Sequence, residues 1–80
     1  MSVNSNIVHQ YFKKEIEGSK ILVKVNPVHF TGVEMIIHQN GELETRQLEF
    51  DTEIMEDLAV DGFEEVSGME FNLHLSGLIK

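Results

Sequence analysis

The chain has 80 residues, of which 41% are hydrophobic and 25% charged, with no cysteine and a net charge of −8. That composition suits one globular domain over residues 1–80 and argues against disorder, disulfides, thiol nucleophiles and cysteine-held metal centres. Residues 1–46 balance five Lys/Arg against five Asp/Glu, whereas residues 47–80 set nine acids against Lys80 alone, a field that repels phosphate backbones and anionic lipid and attracts basic partners.

Residues 1–5 read as a flexible start. From Asn6, a candidate N-cap, Ile7, Val8, Tyr11, Phe12 and Ile16 fall on one helical face, with Gln10, Lys13, Lys14 and Glu17 outward and Gly18 as the stop. The same residues are β-prone and would also make a strand; the helix is the preferred reading. Ile21, Val23 and Val25 alternate with Lys20 and Lys24 in a strand that Asn26–Pro27 ends.

Two apolar runs then flank Asn40–Gly41, the strongest short hairpin signal in the chain. A two-residue loop pairs His38 with Leu43; a three-residue loop with Gly41 in a bulge pairs His38 with Glu42, Ile37 with Leu43 and Glu34 with Arg46. The second is favoured, because it collects Val33, Met35, Ile37 and Leu43 on one face. It leaves Leu48 and Phe50 on the other, and Gly32 is the expected bulge or twist.

Asp51 or Thr52 caps a second helix, in which Ile54, Met55, Leu58 and Ala59 share a face and Glu53, Glu56 and Asp57 point outward. Gly62 closes it, Phe63 folds back on the core, and Glu64–Glu65 open a turn through Ser67–Gly68. A final strand follows, Met69, Phe71, Leu73 and Leu75 alternating with Glu70, Asn72, His74 and Ser76. The order α-β-β-β-α-β predicts an α+β fold, a small single-layer, mainly antiparallel sheet of about four strands with two helices on one face.

The first five elements resemble a double-stranded-RNA-binding domain in order alone. That module places lysines at the start of its second helix to hold phosphate, where this chain has Asp51, Glu53, Glu56 and Asp57; direct nucleic-acid binding is not expected. His9, His29, His38 and His74 lack the spacing that sets two imidazoles together, and Asp57–Gly62 lacks the alternation of a calcium loop, so no metal and no cofactor are expected. Neither Ser67–Gly68 nor Ser76–Gly77 sits in a nucleophile elbow. Glu70 and His74 on one strand would stand about 13 Å apart. No catalytic residue is assigned.

The N-terminus lacks the basic and apolar regions of a signal peptide, and no run approaches the roughly 20 apolar residues of a membrane span; a cytoplasmic protein is expected. The leading functional expectation is a non-catalytic interaction module whose Glu53, Glu56, Asp57, Asp61, Glu64 and Glu65 meet a basic protein partner. The alternative is a homodimeric structural or small-ligand-binding protein associating through its sheet, with strand 20–25 or 69–79 as the edge to be covered.

Overall fold

Residues 8–76 are described by the structure, a computed structural model. Strands β1 (Gln10–Ile16) and β2 (Ser19–Asn26) form a hairpin with Gln10 opposite Val25 and Ile16 opposite Ser19. Its loop residues, Glu17 and Gly18, have φ of 50° and 83°, the double positive φ of a type I′ turn. The helix expected from Asn6 is thus a strand, with Asn6, Ile7 and the expected flexible start outside the described residues. Gly18 is a hairpin turn rather than a helix stop.

Strands β3 (Thr31–Ile37) and β4 (Leu43–Glu49) make the Asn40–Gly41 hairpin in the three-residue register, with Ile37 opposite Leu43 and Glu34 opposite Arg46. The His38 N–H donates to the Glu42 carbonyl at 2.8 Å and the Gly41 N–H to the His38 carbonyl at 2.9 Å. Gly32 holds no bulge, since pairing runs through it unbroken on both sides. A Cβ there would lie 2.0 Å from the Lys24 carbonyl oxygen and 2.7 Å from the Phe50 ring, so glycine is required first by the close approach of the β2 backbone and then by the ring.

Helix α1 (Ile54–Val60) follows. The Asp51 carboxylate accepts the Glu53 N–H at 3.0 Å, and Glu53 rather than Asp51 or Thr52 is the N-cap residue. The helix ends with Phe63 N–H on the Leu58 carbonyl and Gly62 N–H on the Ala59 carbonyl, the paired bonds of a Schellman motif. The expected turn at Glu64–Glu65 is instead a fifth strand, β5 (Glu64–Val66), with Val66 opposite Tyr11. The expected last strand is helix α2 (Met69–Leu75). The sheet order is β4-β3-β2-β1-β5, with every neighbouring pair antiparallel. The α+β class stands. The four strands become five, and the dsRNA-binding element order is lost at its first element.

The two helices lie on opposite faces of the sheet, not on one. Phe12, Val23 and Val25 pack with Leu58 of α1, joined by Ile21, Phe50, Ile54, Met55 and Phe63. Leu22 and Met35 pack with Phe71 of α2, joined by Tyr11, Val33 and Ile37. Adjacent residues such as Leu22 and Val23 therefore both bury, one on each side. This explains the misread first element: in a strand covered on both faces, Tyr11 and Phe12 are inward together, a doublet that also fits helical spacing. It also accounts for Phe50, whose supposedly polar face is the one that α1 covers.

Candidate functional site

Residues 53–65 contain six acids and no Lys or Arg. On α1 and its cap, Glu53, Glu56, Asp57 and Asp61 follow i, i+3, i+4, i+8 spacing and so line one stripe. Glu64 and Glu65 follow on β5, where Glu65 stands opposite Phe12 on the α1 face and Glu64 opposite Lys13 on the α2 face. All six are exposed. Among the described residues none of their carboxylates has an ion-pair partner. The nearby Lys14 amine donates to the backbone carbonyl of Asp61 and stands 5.8 Å from the centre of the Phe63 ring. Within the stripe Val60 is 85% exposed, so the acids surround an apolar side chain. Ala59, expected to face the core, is exposed as well.

Glu17, Glu42, Glu49 and Asp51 likewise have no ion-pair partner among the described residues, whereas Glu15, Glu34, Glu44 and Glu70 have a basic side chain beside them. Glu34 accepts from Arg46 Nε at 3.2 Å, and His38 Nε2 donates to Glu44 at 2.8 Å. Glu70 of α2 bridges two strands: Lys13 donates to its Oε1 and Lys20 to its Oε2, each at 3.1 Å. Burial pushes the Glu70 carboxyl up, but the hydrogen bonds from Lys13 and Lys20 and their charges outweigh it and hold the group below the ordinary glutamate value. Lys13 is raised in turn, chiefly by its hydrogen bond to Glu70 against the opposing cost of burial, with Glu15 at 3.5 Å adding to the rise.

His74 completes this cluster and corrects two expectations. It is buried, 6% exposed, rather than on a wet strand face. Its Nε2 lies 3.6 Å from Glu70 Oε2 across one helical turn, not about 13 Å along a strand. At that distance there is no hydrogen bond, and Nε2 is buried without a partner. The cluster of Lys13, Lys20, Glu70 and His74 is hidden in the sequence because residues 69–75 alternate with the period of a strand. Read at helical period, Glu70 and His74 fall at i, i+4, a recognisable pair.

An open groove of about 540 Å³ lies on the α2 face, among His9, Lys24, Asn26, Thr31, Val33 and Gln47. In its lining the Asn26 side-chain oxygen accepts the Val28 and His29 N–H groups. Among the described residues no three His, Cys, Asp or Glu side chains are grouped to hold a metal ion, and no helix is long and apolar enough to cross a membrane. Comparison of the chain with protein-family models, curated proteins and solved structures finds no match.

Proposed function

We propose that this protein is a non-catalytic interaction module whose α1–β5 surface docks a basic protein. One observation carries this reading: Glu53, Glu56, Asp57 and Asp61 form a single exposed stripe around the bare Val60 side chain, without counter-ions among the described residues. Glu15, Glu34 and Glu70 are ion-paired to Lys or Arg within the chain. Charge without an internal partner remains available to steer and hold a cation, and an apolar centre ringed by charge is the pattern of a small docking site. The matching partner presents Lys and Arg around an apolar contact.

The test compares wild type with the Glu53→Gln/Glu56→Gln/Asp57→Asn variant, both immobilised and exposed to source-cell lysate at low and high salt. Exposed positions of this kind leave stability within about 0.5 kcal/mol, which a thermal melt checks first. A basic protein held by wild type at low salt, and lost both with the variant and at high salt, is the expected result. Equal retention by both proteins would remove the acidic stripe as the docking site.

A further inference from the structure

The central position of β2 (Ser19–Asn26) and the helical state of residues 69–75 exclude both strands first considered as edges. Among the described residues the sheet ends instead at β5 and at β4, and the outer side of β4 has a definite chemical pattern. Pairing of β3 with β4 sets Phe30 opposite Phe50 and His38 opposite Glu42, and in both pairs an N–H donates across the ladder, at 2.7 and 2.8 Å. Even-numbered residues of β4 thus turn their main-chain groups toward β3. Odd-numbered residues alternate with them, so Leu43, Thr45 and Gln47 direct N–H and C=O away from the sheet. Every residue of β4 except Leu48 is exposed, the strand contains no proline or glycine, and its register is unbroken. Among the described residues the usual devices that blunt an edge are missing apart from charge, and the charges alternate in sign from Glu44 to Arg46.

We propose that a second copy of this chain pairs antiparallel with β4, with Thr45 opposite the partner's Thr45, joining two five-stranded sheets into one. In this register Leu43 faces the partner's Gln47, and the three odd-numbered pairs form about six main-chain hydrogen bonds, two for each pair. Glu44 then stands opposite the partner's Arg46, and Arg46 opposite the partner's Glu44. These are non-hydrogen-bonded positions, where side chains approach most closely.

Alternative symmetric registers lack this match. A shift by one residue per strand in one direction sets Arg46 against the partner's Arg46; the opposite shift sets Glu44 against the partner's Glu44. The Thr45-centred pairing is thus selected by charge. Within one protomer Arg46 Nε and Nη2 engage Glu34 on β3 and Glu44 engages His38, so both side chains must share or exchange these partners on pairing, and the guanidinium keeps further donors for a second carboxylate. Each row then reads Glu34, Arg46, the partner's Glu44. The acidic surface proposed above continues onto β5 at the opposite edge of the sheet, so the two proposals stand or fall separately.

Sedimentation equilibrium across micromolar to millimolar protein tests the pairing. Wild type is expected to rise with concentration from the 9.1 kDa monomer mass toward twice that value. Thr45→Pro removes an outward N–H and leaves the β3 ladder whole, and proline is tolerated at such an edge position; it is expected to keep the wild-type circular dichroism and stay monomeric. The register has its own test, which does not depend on that variant folding. Glu44→Arg and Arg46→Glu chains each oppose like charges in their own homodimers and should dimerise about tenfold more weakly. Mixed together they oppose only unlike charges and should recover wild-type affinity as a heterodimer. A wild type that stays monomeric throughout, a dimer that survives in folded Thr45→Pro, or charge variants that do not rescue each other would each overturn the proposal.

Discussion

The two faces of the sheet are built by different rules. Under α1 the contact is apolar throughout, Leu58, Ile54, Met55 and Phe63 meeting Phe12, Val23 and Val25. Under α2, Phe71 meets Leu22 and Met35, while Glu70 forms a half-buried ionic cluster with Lys13 and Lys20 beside the buried His74. The contrast shows how a short helix is held. Helix α2 has seven residues and no side-chain N-cap bond, too short to be stable by itself, so its position rests on one aromatic anchor and one carboxylate that pins it to two strands.

Loss of an apolar anchor on either face should have the largest effect. Phe71→Ala should cost about 3–5 kcal/mol and Leu58→Ala about 2–5 kcal/mol, read from denaturant midpoints. A Phe71 loss below about 1 kcal/mol would mean that the ring is not in the core, since full burial of a Phe contributes at least about 1.5 kcal/mol. The ring is 1% exposed and stacks tilted on Tyr11 with centroids 5.5 Å apart.

The ionic half of the contact is sharpened by Glu70→Gln, which should cost about 1–2 kcal/mol near neutral pH, because hydrogen bonds to charged groups are strong but this set is partly screened. The pH dependence has a definite sign. The folded-state pKa of Glu70 is depressed, so its contribution is complete above the ordinary glutamate value and is lost as pH falls through the lower folded-state value. Wild type should therefore lose stability into acid more steeply than Glu70→Gln, with the gap between the two closing. Parallel acid limbs would show that the lysines do not hold this carboxylate in solution.

The smallest effect has an unusual direction. His74 Nε2 is buried without a partner, and replacing a group whose desolvation is uncompensated by an apolar side chain of similar size relieves that cost. His74→Leu should be neutral or stabilising by up to about 1 kcal/mol at neutral pH. A loss greater than that would mean that Nε2 has found a partner.

Much of the α1 side was readable from residue order. The Asn40–Gly41 hairpin, its Gly41 loop and the Glu34–Arg46 pair followed from turn chemistry and cross-strand charge, and both are local. The Leu58 helix, its Gly62 end and the return of Phe63 also stand. The six acids were legible by composition, and their exposure agrees with the outward reading of the helix. Readings failed where period alone was used. Met69, Phe71, Leu73 and Leu75 alternate as a strand would, yet Met69 is 69% and Leu75 57% exposed, and the buried pair is Phe71 and His74 at i, i+3.

Residue order by itself determined the Asn40–Gly41 turn, the Gly62 helix end, the α+β class and the uneven charge, because these depend on neighbours within a few positions or on composition. Tertiary structure decided the identity of the first and last elements, the number of strands and the placing of one helix on each face. The physical reason is two-sided burial. Once both faces of the sheet are covered, apolar residues no longer alternate with polar ones, and a doublet such as Tyr11–Phe12 fits helix and strand alike. Only the pairing of β1 with both β2 and β5, and the reach of Glu70 to Lys13 and Lys20 on two strands, resolves which periodicity the chain follows.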